Sequence, residues 1–270
     1  MNFFAWFAVF SLVKADAAEV VFLNVGQGDA EFIQTPQKHQ ILIDGGPDSS
    51  VLAELSKQMP FYDRTLDLII LTHPEKDHLY GLLEVLKRYK VENILWTGVK
   101  RQTSEWKEWI ETIKKENAEI KIAKSGEKII FQDSNPEIYI EILYPEESLQ
   151  GKEYKDSNDT SIVAKLVVGE KSFLFTGDAG IKEERALLDK NISSDVLKVA
   201  HHGSKYSNLE EFYQKVAPKF AVIEVGKNNY GHPTPEVLAS LEKFGIQVLR
   251  TDKNGSVKFV SDGKIIKLTN

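Results

Sequence analysis

Apolar and polar positions follow two rhythms along this chain. Runs at residues 19–24 and 30–34, separated by Gly26-Gln27-Gly28-Asp29, and a third at 40–43 that stops at Asp44-Gly45-Gly46, have the two-residue rhythm and turn punctuation of a β-meander. Residues 51–58 read as a short helix and 66–71 as a buried strand. Leu79, Leu82, Leu83 and Leu86 recur at helical spacing within 79–89, and 91–96 reads as the next strand. Residues 104–117 form an amphipathic helix whose Trp106, Trp109, Ile110 and Ile113 make a core-facing stripe. The second half repeats the style. Strands are expected at 138–144, 161–168 and 172–176, then helix 181–188, strand 196–200, helix 208–216, strand 220–225, helix 235–244 and strand 247–250. A hairpin of 258–260 with 264–268 closes the chain, and the polar stretch 146–158 reads as a surface loop. Two sheets packed face to face with helices outside account for this order.

Residues 3–13 stand apart. They are almost entirely apolar, yet too few to span a bilayer as a helix, and Ala15-Asp16-Ala17 follows with the small-x-small pattern of a signal-peptidase site. Residues 1–17 are therefore expected to be a signal peptide or membrane anchor, which places the product outside the cytoplasm, secreted or membrane-anchored. No Lys or Arg precedes the run, so the competing reading is the tail of a membrane segment. Residues 18–270 form the folded domain.

Composition narrows the chemistry. Apolar residues at 42% suffice for a sizeable core. A formal net charge of −6 argues against non-specific coating of nucleic acid, and the sequence offers no basic stripe with interleaved aromatics. It does not exclude one site that binds one phosphate. The absence of cysteine rules out disulfides and zinc–thiolate centres, so a metal must be held by His, Asp or Glu. Of the six histidines, all but His39 lie in short unusual strings.

The first string, His73-Pro74-Glu75-Lys76-Asp77-His78, follows a buried strand and precedes a helix. Imidazoles and a carboxylate so close together at a strand end can converge on one Zn²⁺ or Mn²⁺, whereas a solvated charged turn has no need of two histidines. Thr176-Gly177-Asp178 again ends a strand. An Asp after Gly is often only a turn former, and its weight comes from company. His201-His202-Gly203-Ser204 follows another strand. Its adjacent histidines are expected to point in different directions, one to metal and one to substrate. Gly231-His232-Pro233 precedes a helix, where a lone His is more often a cap or surface residue. Together these segments bring His and Asp ligands to one edge of the sheets, a natural place for a cleft.

The set resembles the metallo-β-lactamase superfamily, and most closely the hydrolase domain of ComEC-type competence proteins. Residues 22–30, 42–46, Thr72-His73-Pro74 with Asp77-His78, Asn158-Asp159 with Ser161, Thr176-Gly177-Asp178 and His201-His202-Gly203-Ser204 carry the likeness, which extends over about residues 19–268. It implies an α/β fold, the αβ/βα four-layer sandwich, with a two-metal hydrolytic centre of Zn or Mn at one edge. One metal would use His73, Asp178 and His202, with Glu75 as a further ligand, and the other Asp77, His78, Asp178 and His232. Asp44 would orient the centre from behind the ligands. The chain departs from the superfamily pattern where Glu75 replaces a histidine, which shifts preference toward harder metals. No histidine lies between His78 and His201, so either His201 or His202 must supply the ligand usual there.

The resemblance implies phosphodiester cleavage, with DNA the leading substrate. A metal-activated hydroxide would attack phosphorus in line, Asp77 and His201 would serve catalysis, and Asn158, Ser161 and Ser204 would contact the phosphoryl oxygens. Turn chemistry is an equal alternative for Asn158, Asp159 and Ser161. The polytopic transporter part of the ComEC proteins is not expected in this chain, so DNA uptake does not follow. Two alternatives remain: hydrolysis of a small phosphodiester such as a phosphocholine or nucleotide ester, and a binding module whose metal site has decayed, with Glu75 as the first lost histidine.

Overall fold

A computed structural model describes residues 17–132 and 134–269. The expected leader, apart from Ala17, lies outside these residues. No helix among the described residues is long and apolar enough to cross a membrane.

The first half builds an eight-stranded sheet. β1 (Ala18–Phe22), β2 (Glu31–Gln34) and β3 (Gln40–Ile43) form the expected antiparallel meander. β4 (Thr65–Leu71), β5 (Lys90–Trp96) and β6 (Glu119–Ile122) then add in parallel beyond β3. The connections carry α1 (Ser50–Gln58), α2 (Lys76–Leu86) and α3 (Ser104–Lys115). The second half builds the partner sheet. β7 (Lys128–Phe131), β8 (Ile138–Tyr144), β9 (Val163–Val168) and β10 (Lys171–Phe175) are antiparallel. β11 (Val196–Lys198), β12 (Phe220–Ile223) and β13 (Gln247–Arg250) continue it in parallel. Here the connecting helices are α4 (Ile181–Leu187), α5 (Glu210–Val216) and α6 (Pro235–Lys243), with a short α7 (Thr251–Asn254) after β13. The chain then returns, and β14 (Val257–Ser261) and β15 (Ile266–Thr269) complete the first sheet beside β1. The strand orders are β15-β14-β1-β2-β3-β4-β5-β6 and β13-β12-β11-β10-β9-β8-β7.

The strands sort their side chains by parity, which makes the layers. Val20, Phe22, Ile41, Ile43, Leu68 and Ile70 point between the sheets and meet Phe173, Phe175, Val222 and Phe259. Val21, Leu42, Ile69 and Leu71 point the other way and pack under Leu79, Leu82, Leu83 and Trp109 of the helices. Leu174, Leu197, Ala221 and Ile223 do the same under Leu187, Phe212, Val237 and Leu241. These three apolar layers define the αβ/βα sandwich. β1, β3, β4 and β5 run in one direction, so their C-terminal ends share one edge, and the loops that follow carry the polar strings.

Three expectations need correction. The strand expected at 161–168 starts only at Val163, because Asn158–Thr160 forms a 3-10 turn that holds Ser161 off the ladder. The strand expected at 196–200 ends at Lys198, because His201 and His202 take left-handed backbone (φ +50° and +53°). The edge strands β6 and β7 were not anticipated.

Candidate metal centre

Three loops of the first sheet are tied together by backbone at the shared edge. Asp29 N–H donates to Asp77 O (3.3 Å), Gly46 N–H to Asp29 O (2.8 Å), and Gly45 N–H to His78 O (2.8 Å). Gly45 and Gly81 make the closest approach. A Cβ added at Gly81 would lie 1.7 Å from Gly45 O, so the turn after β3 rests directly on α2. Gly28 is likewise required, since a Cβ there would meet Asp77 O at 2.3 Å. The second sheet contributes Asp178 after β10 and the histidine pair after β11. Left-handed backbone at His201, His202 and Gly203 (φ +82°) turns the chain sharply enough to present both imidazoles.

His73, His78, Asp178 and His202 are all buried. Each imidazole is backed at Nδ1. Asp44 Oδ2 accepts from His78 Nδ1 (2.7 Å), the Glu224 carbonyl accepts from His202 Nδ1 (2.8 Å), and Thr72 Oγ1 lies 3.0 Å from His73 Nδ1. The Nε2 atoms therefore face inward, and none of the three has a hydrogen-bond partner. His78 Nε2 lies 3.3 Å from Asp178 Oδ1, while His202 Nε2 is 3.5 Å from Asp178 Oδ2 and 3.4 Å from Asp77 Oδ2. Buried imidazole nitrogens left unpaired, each held by a partner on its other nitrogen, are the donor set of a transition-metal site. The residues fit a divalent cation.

Asp44 holds its place through Thr72, whose N–H (2.8 Å) and Oγ1 (2.6 Å) both donate to its carboxylate. Asp29 carries more than turn chemistry. It is fully buried, approaches His202 Nδ1 at 3.2 Å and His78 Nδ1 at 3.6 Å, and is ion-paired with Lys198. Asp29, His78, Asp178 and His202 each offer a ligand atom within 4.8 Å of the others. Glu31 and Glu224 lie behind them, also buried.

The electrostatics follow from burial and crowding. Burial alone would raise Asp178, but His202 and His78 hold it well below the usual carboxylate range. Burial opposes charge on His202, yet Asp178 and Asp29 outweigh it and lift the imidazole to about 10; His78 is raised for the same reasons. His73 is pushed down to about 3 by burial and by His78, so it stays neutral. Burial raises Glu31 to about 8, reinforced by Asp29.

The remaining expected residues separate by depth. His201 is a quarter exposed at the mouth, with Nε2 3.7 Å from Asp178 Oδ2 and 3.4 Å from Asn158 Nδ2. Both adjacent histidines thus reach Asp178, His202 from below and His201 from the rim. His232 packs on His201 (ring centroids 5.5 Å) and Tyr230 (5.8 Å), outside the buried cluster. Glu75 is turned away: its carboxylate pairs with Arg101 (2.7 Å) and accepts from Ser157. Ser161 and Ser204 are buried rather than open to substrate. Ser161 Oγ accepts from Asp178 N–H (3.1 Å) and Ser204 Oγ from Tyr206 N–H (3.3 Å), so both brace the loops. An open groove of about 810 Å³ lies elsewhere, lined by His39, Asp67, Leu95, Ile122 and Phe131.

The sequence reading gave no role to Asp29, Lys198, Glu224 or Arg101. One signal was available, a lone lysine inside the apolar run Val196-Leu197-Lys198-Val199-Ala200.

Comparison with known proteins agrees with this fold. The sequence profile of the metallo-beta-lactamase superfamily matches residues 23–226. ComE operon protein 3 of Bacillus subtilis (strain 168) is 35% identical over 261 residues, covering 89% of this chain and 33% of that protein. Competence protein ComA of Neisseria gonorrhoeae is 31% identical over 260 residues, covering 92% and 33%. Both are ComEC-type competence proteins, and this chain spans about a third of their length. Among solved structures, the metallo-beta-lactamase fold protein YhfI from Bacillus subtilis superposes with a TM-score of 0.62 at 12% identity, covering 92% of this chain and 100% of that one. At that identity the likeness is one of fold.

Proposed function

The chain belongs to the metallo-β-lactamase superfamily, and from that premise we propose that it is a metal-dependent phosphodiesterase whose leading substrate is DNA. The observation that carries the reading is the unpaired Nε2 of His78 and His202 beside Asp178, with the ring of His73, its Nε2 also unpaired, 4.1 Å from that of His78, and each imidazole braced from behind. Two divalent ions, Mn²⁺ or Zn²⁺, are the cofactor this donor set favours, and when bound they supply Lewis acidity and a water of near-neutral pKa.

The chain's own residues supply the rest. Asp178 and His202 form the floor, Asp77 flanks His202 with its side chain a third exposed, and Asp44 and the Glu224 carbonyl fix the ring orientations. His201, at the rim, is pushed down by burial and is neutral at pH 7. Its Nε2 is placed to take a proton from the attacking water and return it to the leaving oxygen. Asn158 lies beside it as a donor to a phosphoryl oxygen. With Glu75 engaged by Arg101 and His232 packed on His201 outside the buried cluster, the ligands of this reading are His73, Asp77, His78, Asp178 and His202.

DNA is favoured by the similarity to competence proteins and by the rim. Tyr206 and Tyr230 are 70% and 75% exposed, and the Lys205 ammonium lies 5.3 Å from the centre of the Tyr206 ring. Two exposed aromatic rings at the rim offer stacking surface to unpaired bases, although the sequence offers no continuous basic stripe to accompany them. The test is hydrolysis of bis-p-nitrophenyl phosphate, single-stranded DNA and plasmid DNA with added Mn²⁺ or Zn²⁺. Cleavage abolished in Asp178→Asn and His202→Ala is expected. Metal-loaded protein that cleaves none of the three would end the phosphodiesterase reading, and cleavage of the small ester alone would end the DNA assignment.

A further inference from the structure

A fully buried lysine beside a metal site demands an explanation, because an ammonium repels the cation the site is built to hold. Lys198 ends β11 and is 0% exposed. Its Nζ is ion-paired with Asp29 Oδ2, donates to the Gly177 carbonyl (2.7 Å) and lies 3.7 Å from Asp178 Oδ1. Gly177 and Asp178 are neighbours, so one ammonium fixes both the loop that carries Asp178 and the inner face of its carboxylate. Asp29 in turn stands between the Nδ1 atoms of His78 and His202. Lys198 therefore meets Asp178 of the second sheet directly and, through Asp29 of the first, backs the histidines His78 and His202.

Asp29, Glu31 and Glu224 form a second group of carboxylates close enough to hold a cation. Lys198, paired with Asp29, already provides that cation. Resting on the metal-site reading above, we propose that Lys198 is a fixed internal cation of the centre: it orients Asp29 and Asp178 before metal arrives, and it offsets one of the negative charges that draw a divalent ion in. It is a positioning residue, since it lies behind the ligands. Its charge sets how tightly the site takes metal. With only a few ångströms between ammonium and site, removing the charge is expected to tighten binding by on the order of tenfold.

The test is Mn²⁺ binding, followed by titration calorimetry and by the electron-paramagnetic signal of free Mn²⁺, on the full chain and on Lys198→Met, Lys198→Arg and Asp29→Asn. Lys198→Met should bind Mn²⁺ about tenfold more tightly, melt at lower temperature without metal, and recover most of that deficit at saturation. Lys198→Arg should bind like the parent. Asp29→Asn should bind more weakly, because Lys198 then acts on Asp178 without its counter-charge. If Lys198→Met does not fold, Asp29→Asn alone decides, and parental affinity there overturns the proposal. Unchanged or weaker binding in folded Lys198→Met, with the same loss of melting temperature with and without Mn²⁺, also overturns it and makes the lysine a packing group. A parent chain that binds no metal sinks the phosphodiesterase reading itself, a distinguishable result.

Discussion

Asp44→Asn isolates the orienting role of one buried carboxylate. Asp44 is 0% exposed and accepts from Thr72 N (2.8 Å), Thr72 Oγ1 (2.6 Å) and His78 Nδ1 (2.7 Å). Asparagine keeps the volume and one acceptor oxygen, which can retain the bond from Thr72 N–H. Its other terminus becomes an amide donor facing His78 Nδ1. The imidazole can satisfy that donor only by moving its proton to Nε2, the nitrogen that faces the metal. Hydrogen bonds to charged groups contribute about 1.5–3 kcal/mol each; with one retained and the amide partly reused, the metal-free fold should lose about 2 kcal/mol. Metal affinity should fall about 10- to 100-fold, the scale for loss of a group that orients a ligand. Calorimetric titration with Mn²⁺ and Zn²⁺, paired with thermal melts, reads both effects. If Asp44→Asn binds both metals as tightly as the parent, either His78 is not a ligand or Asp44 does not set its tautomer, and the centre must be redrawn.

Other expectations follow from the same geometry. Gly81→Ala drives a Cβ into Gly45 O at 1.7 Å, backbone against backbone, and should cost about 3 kcal/mol or more; an unchanged denaturation midpoint would contradict the packing of α2 on that turn. Buried Glu184 is lifted by burial to about 7 from its ordinary 4.5, so the folded chain holds a proton that the unfolded chain has released between those values. Its contribution to stability is full below 4.5, is lost as pH rises through 7 and is level above, and Glu184→Gln should flatten that part of the stability–pH curve; identical slopes would refute it. His78 and His202 are raised by surrounding carboxylates, and a metal must displace their protons. Affinity should therefore weaken as pH falls, by about tenfold per pH unit for each proton displaced, and pH-independent binding between 6 and 8 would remove these two from the ligand set.

Much of the fold was legible because most strands are buried on both faces. β3, buried on both faces, has the bounds its apolar run announces, at 40–43, and the half-buried β8 and β13 match theirs at 138–144 and 247–250. β6 and β7 were not legible. They are short edge strands in which Ile120 and Ile130 stay exposed, at 41% and 58%, so their patterns carry no sign of a core. At the site, His73, His78, Asp178 and His202 stood out because histidine and aspartate recur at strand ends. What surrounds them did not. Arg101 meets Glu75 across 26 positions, and Lys198 reaches Asp29 only once the two sheets are stacked. Ser161 and Ser204 looked like substrate contacts because they flank the motifs, whereas their hydroxyls satisfy loop backbone.

In the proposed centre His73, His78 and His202 hold metal together with Asp178. Equilibrium dialysis of the full chain against Mn²⁺ or Zn²⁺, with metal counted per chain by mass spectrometry, tests it most directly. About two ions per parent chain are expected, with clear loss in His78→Ala and His202→Ala and none in His39→Ala, whose ring pairs with Asp67 away from the centre. No retained metal in the parent, or retention unchanged in both site variants, would contradict it.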